Sequence, residues 1–208
     1  MKKKVNPFWM TLCILLSLAI LGLCVFAGRG GTLYLKAEGD PQELVRYFFN
    51  SVIAGEYASA YACLSDYSSL GLENAPGSPG GRTLYEALRQ SYAYSLPGES
   101  RVENLSAVQT VEFRYLDVKA VEQEIASRVE GIAEELVAER PGPEIYDVDG
   151  GYLASFTDEI YAKALNQVLE DAQSYYTTTD LEVTLRYLDG AWRMETSPAL
   201  FTALLGGV

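Results

Sequence analysis

Thr179-Asp180-Leu181-Glu182-Val183-Thr184-Leu185-Arg186-Tyr187-Leu188-Asp189-Gly190-Ala191-Trp192-Arg193-Met194-Glu195 is the stretch whose reading decides the fold. Thr179, Leu181, Val183, Leu185 and Tyr187 alternate with Asp180, Glu182, Thr184 and Arg186, the period-two pattern of a strand with one buried face. Asp189-Gly190 suits the two central positions of a type I′ turn, where both residues need positive φ. Ala191 to Glu195 then returns as the partner strand, carrying Trp192 and Met194. An antiparallel hairpin therefore lies near the end of the chain. After it, Ser197-Pro198 opens a short helix through Leu205, which Gly206-Gly207 ends.

Upstream, the same period recurs from Ser106 to Val118, with Val111, Phe113 and Tyr115 on one face and Glu112 and Arg114 on the other. Between the strands the period changes to 3.6. Val121, Ile125, Val129, Ile132 and Leu136 predict a helix over about Lys119–Glu139; Ile160, Ala164, Val168 and Ala172 predict another over about Thr157–Tyr175. Arg140-Pro141-Gly142-Pro143 and Asp149-Gly150-Gly151 mark the loop between them, and Ser155, Thr157 and Asp158 offer caps for the second.

Further back, Asp40 as N-cap, Pro41 in the first turn and Glu43 three residues on predict a helix start, with Leu44, Tyr47, Phe48 and Val52 as its apolar stripe and Gly55 as its end. A second helix, Glu56 to Leu64, follows almost without a loop. Asn74 to Gly81 reads as a loop. Thr83 with Glu86 opens a third helix to about Ser95, with Leu84, Leu88 and Tyr92 at helical spacing, and Pro97-Gly98 stops it. Thr32 to Lys36 suits a brief strand. The sum is an α+β fold, with helices packed on one face of a curved, cone-like antiparallel sheet.

The N-terminus supplies an address. Met1-Lys2-Lys3-Lys4 is followed by a run without charge from Val5 to Gly28. Trp9–Ala27 as a helix reaches about 28 Å, close to the roughly 30 Å of a bilayer's hydrocarbon. The three lysines place the N-terminus in the cytoplasm, so the expectation is a single-pass cell-membrane protein with its body outside the cytoplasm. Val25-Phe26-Ala27 offers the alternative of cleavage near Ala27 and secretion. Lipid attachment at Cys24 is disfavoured by the bulky Leu23 before it. Residues 1–28 are thus expected to be the lysines and the anchor or signal segment, 29–39 a linker, and 40–208 the extracytoplasmic domain.

Composition narrows the chemistry. The 208 residues contain 16 Lys and Arg, 28 Asp and Glu, a formal charge of −12 and no histidine. Without imidazole, Ser-His-Asp and Cys-His catalysis and His-ligated metals are excluded. The acidic balance opposes nucleic-acid binding. No Ser-x-x-Lys pattern and no Gly-x-x-x-x-Gly-Lys phosphate loop occurs. Asp147-Val148-Asp149-Gly150-Gly151 lacks the ligand spacing of a calcium loop and reads as a turn. Cys63 sits in Tyr57-Ala58-Ser59-Ala60-Tyr61-Ala62-Cys63-Leu64 with no base or cation close in sequence, as a buried apolar thiol does. No cofactor and no metal are expected.

Gly55-Glu56-Tyr57-Ala58-Ser59-Ala60-Tyr61 after a capped helix, with the Asp189-Gly190-Ala191-Trp192 hairpin and a closing helix, resembles the nuclear transport factor 2-like, or cystatin-like, superfamily. The resemblance covers about Asp40 to Leu205 and makes the two helices between Lys119 and Tyr175 an insertion. It implies helices lying across a strongly bent sheet, in the manner of exported, membrane-anchored bacterial members that mostly lack an assigned activity. It transfers no catalytic residue.

The cone that such a sheet forms directs attention to Tyr61, Tyr92, Phe113, Tyr115 and Trp192 as ligand-lining side chains, the alternative being that they fill the core. The function expected is non-catalytic binding of a small apolar ligand or a protein partner. The alternatives are an enzyme of the same fold using Asp66, beside Tyr67, with tyrosines for proton transfer, and a structural accessory of a membrane complex.

Overall fold

A computed structural model describes residues 37–66, 69–140 and 142–208. The expected anchor over 9–27, its cleavage alternative, the Thr32–Lys36 strand and Tyr67 lie outside these residues. Among the described residues, no helix is long and apolar enough to cross a membrane.

Helix α1 (Pro41–Ala54) begins where its cap chemistry places it: the Asp40 carboxylate accepts from the Gln42 N–H at 2.8 Å. It ends at Gly55, whose φ of 77° lets the Gly55 and Glu56 N–H groups bond back to the last turn. The stripe buried against the sheet is Val45, Phe48, Phe49 and Val52, with Leu44 half-buried. Tyr47, expected on that stripe, is 54% exposed because the packed face is turned one residue further along the helix. Helix α2 (Tyr57–Tyr61) is shorter than Glu56–Leu64, since Cys63 O accepts the Met194 N–H and the Ser65 N–H donates to Met194 O, which sets Leu64 beside Met194 at the sheet's edge.

Helix α3 is Pro79–Ser91. It starts a turn earlier than the Thr83–Glu86 pair indicates, because Ser78 accepts from the Gly81 N–H at 3.1 Å and Pro79 stands in the first turn. It also stops before Ser95. Ser91, fully buried, accepts the Leu116 N–H at 2.7 Å and donates to Leu88 O at 2.5 Å; Tyr92 is extended, and Ala93–Ser95 is strand β1.

Strands β2 (Arg101–Glu103) and β3 (Ser106–Leu116) follow, then helices α4 (Val118–Glu139) and α5 (Ala154–Leu169), strands β4 (Tyr176–Leu188) and β5 (Ala191–Met194), and helix α6 (Pro198–Leu204). Short 3-10 turns cover Gly142–Glu144 and Ala172–Tyr175. Helix α5 starts after Leu153 with no side-chain cap, so Ser155, Thr157 and Asp158 do not serve as expected.

The sheet is antiparallel and curled as a half-barrel, in the order β1-β3-β4-β5, with β2 beside β1 along the outer edge of β3. β3 and β4 pair from Ser106 opposite Arg186 to Leu116 opposite Tyr176. One face carries Ala107, Val111, Phe113, Leu181, Val183 and Leu185, all buried, while Glu112, Arg114, Asp180, Glu182 and Arg186 stand exposed on the other. Helices α1, α3 and α6 pack on the buried face, so the α+β class with helices on one side of a curved sheet stands. In the hairpin turn, Asp189 and Gly190 have φ of 52° and 82°, the pair of positive values that type I′ requires.

Candidate functional site

Helix α3 places Gly81, Leu84, Tyr85 and Leu88 on one face, at steps of three, one and three residues. That face does not close against its neighbours. Together with the Gly71–Pro76 segment, Val118 and Glu122 of α4, Tyr161 of α5, and Leu204, Leu205 and Val208 at the end, it bounds a cavity of about 340 Å³. The size falls in the range of small-molecule sites, roughly 300 to 1,000 Å³, and the walls are mostly apolar.

Two close approaches fix the walls. Gly80 lies so near the Tyr161 ring that a methyl group there would stand 2.6 Å from it, which joins α3 to α5. Gly206, at φ 78°, takes the C-terminal segment past Val118 and Leu116, and its carbonyl accepts the Val118 N–H at 2.9 Å.

Tyrosine hydroxyls hold the remaining wall. The Leu72 N–H donates to Tyr61 Oη at 2.9 Å, and Tyr85 Oη donates to Leu72 O, so both backbone groups of this buried residue are satisfied by side chains. Tyr61 donates to Glu73 at 2.6 Å, and Ser69 donates to the other carboxylate oxygen at 2.8 Å. The hydrogen bond from Tyr61 draws the Glu73 carboxyl below its ordinary pKa, while burial and that same bond raise the phenol. The proton therefore stays on Tyr61. Tyr57 and Tyr85 share a 2.9 Å hydrogen bond, and the Arg89 guanidinium lies 5.6 and 5.9 Å from their ring centres. Burial raises the Tyr57 phenol strongly.

The structure brings three of the five sequence-selected residues together and leaves two apart. Phe113 packs on Tyr92 and Tyr115, with centroids at 5.4 and 5.9 Å, against Phe49 under the sheet. Tyr92 donates to Leu204 O at 2.5 Å and so supports the cavity from behind. Tyr61 holds the Leu72 wall, and Trp192 packs edge-on to Tyr187 while donating to Gly39 O at 3.2 Å. None of the five lines the cavity at α3. Leu84 and Leu88 were visible in the sequence as a helical stripe and Tyr85 stands between them on the same helix, but Glu122, Tyr161 and Leu204 come from separate segments that only the fold collects.

Elsewhere, Asp66 is exposed. Cys63 is buried, and burial pushes its thiol up to about 11, with Arg193 opposing that shift. Asp147 folds its segment as a turn, its carboxylate accepting from the N–H groups of Asp149 and Gly151 at 2.9 Å each.

No family model and no curated protein matches the chain. A solved structure of the Bacillus subtilis protein ycdA, described as a lipoprotein, aligns with 15% identity and a TM-score of 0.34, over 82% of this chain and 47% of that one. This chain thus spans about half the length of ycdA, and likeness at that level leaves function to the chain's own geometry.

Proposed function

We propose that this protein is a membrane-tethered, extracytoplasmic binding domain that holds a small apolar ligand without transforming it. The observation that carries the reading is the 340 Å³ cavity, whose walls are chiefly leucine, valine and tyrosine. In this reading residues 1–28 anchor the chain through 9–27, 29–39 link, and 40–208 bind. The domain is of the nuclear transport factor 2-like kind. The capped helix closing at Gly55, the short helix after it and the one-sided packing on a curled sheet support that, with α4 and α5 as the insertion.

Binding is favoured over proton-transfer chemistry by the carboxylates. Asp66 is exposed, and Glu73 and Glu159, among the described residues, both move down under hydrogen bonds from Tyr61 and Arg140.

The test is thermal unfolding of the full chain in phosphatidylcholine nanodiscs with n-octanol. At ten times Kd, linkage gives about 1.4 kcal/mol, or about 3–6 °C. Val208→Trp, which places an indole at the mouth where Val208 is 59% exposed, removes that shift. A shift unchanged by Val208→Trp would place the alcohol in the bilayer and sink the reading. The mass and N-terminus of the protein from its native membrane test the tether: an intact Met1 or Lys2 end supports it, and a chain beginning after Ala27 refutes it.

A further inference from the structure

The cavity walls contain one charged side chain, Glu122, on the second turn of α4. It takes part in none of the ion pairs among the described residues, and Lys119, one turn earlier on the same helix, does not bond it. Its influence reaches into the site: after burial, the Glu122 charge is what raises the phenol of Tyr161, the aromatic wall opposite α3. A carboxylate outside the ion pairs of the described residues, beside an aromatic ring and at the rim of a mostly apolar cavity, complements a cation attached to a hydrocarbon. The surroundings add to this preference. Residues 37–208 carry 11 Lys and Arg against 28 Asp and Glu, so the field at the mouth repels anions.

Resting on the reading of the cavity as a ligand site, we infer that its ligand is a single-chain apolar molecule bearing a protonated amine. The chain lies among Leu84, Leu88 and Leu204, and the ammonium meets Glu122. The same chain ending in a carboxylate is discriminated against, because its charge faces Glu122 with no Lys or Arg in the cavity wall to receive it.

Octylamine, n-octanol and octanoate share one chain and differ in head charge. Their affinities are measured by thermal unfolding of the full chain in phosphatidylcholine nanodiscs at matched free concentrations, with the Val208→Trp signal subtracted as membrane partitioning. Octylamine is expected to bind about fivefold more tightly than octanol, the scale of an exposed ion pair, and octanoate more weakly than octanol. Glu122→Gln brings the ratio of octylamine to octanol affinity, read within that variant, to about one. Octanol binding with octanoate equal to octylamine, or an amine advantage that survives Glu122→Gln, overturns the inference and spares the cavity. Failure of all three to give a Val208-dependent shift overturns both.

Discussion

Replacing Gly206 by alanine puts a methyl group 2.5 Å from Val118 Cγ2, 2.9 Å from the Leu116 carbonyl oxygen and 3.1 Å from Leu88 Cδ1. The three neighbours differ in their freedom to yield. Leu88 Cδ1 is a side-chain end, whereas Leu116 O belongs to the backbone of β3, paired along its length with β4. Two costs combine: about 1–2 kcal/mol for an alanine held at φ 78°, and about 1–3 kcal/mol for overpacking. The expected loss is about 2–5 kcal/mol, a fall of about 4–20 °C in Tm for a chain of this size. Gly98→Ala is the matched control, because Gly98 has φ 80° and nothing within 4 Å of the added methyl, so only the backbone cost applies. Urea unfolding of the full chain in nanodiscs, followed through Trp192 in a Trp9→Phe background, measures both. Equal losses for the two variants would refute the claim that contact with β3 and α4 fixes this residue, and with it the account of how the cavity's C-terminal wall is held.

Ser91→Ala deprives the buried Leu116 N–H of its acceptor and is expected to cost about 1–3 kcal/mol, with faster hydrogen exchange at Leu116; unchanged protection there would show that another acceptor takes over. Glu73 titrates below its ordinary value in the folded chain, so its contribution is complete above the unfolded carboxylate value of about 4.3 and is lost as pH falls through the lowered folded one. The stability gap between wild type and Glu73→Gln should accordingly be present at pH 6 and close in acid; a gap independent of pH would refute the Tyr61–Glu73 account. Cys63, buried and pushed up to about 11, is expected to resist iodoacetamide at pH 8 until the chain unfolds, as peptide mass mapping would show, and rapid native labelling would contradict its placement.

What the sequence revealed and concealed follows from the range of the forces involved. Asp40-Pro41, Gly55 and Asp189-Gly190 act within a few residues of themselves, through a cap, a left-handed C-terminus and a two-residue turn, so their effects were legible. The start of α3 was not, because Pro79-Gly80-Gly81 has the composition of a loop and is helical partly through packing: Gly80 admits the Tyr161 ring from α5. Strands β1 and β2, three residues each, carry no period of their own and exist by pairing with β3. The apolar run over 9–27 is legible through its length, its lack of charge and the three lysines before it, and it falls outside the described residues. The cavity stayed hidden for the same reason as the short strands. Its walls are drawn from α3, α4, α5, the Gly71–Pro76 segment and the chain's end, so no window of sequence contains it.

The route between the two longest strands bears on how the chain reaches this state. β3 and β4 are neighbours, yet about 60 residues separate Leu116 from Tyr176, and closing so long a loop costs about 3 kcal/mol more in chain entropy than closing a two-residue hairpin. The helical pair removes much of that handicap. Once α4 and α5 lie antiparallel, the segment folds back on itself, and Asp117 N–H meets Tyr175 O at 2.9 Å where the two strands begin. The central ladder can then zip from that end as an ordinary hairpin would, so substitutions that weaken the α4–α5 pairing are expected to slow refolding.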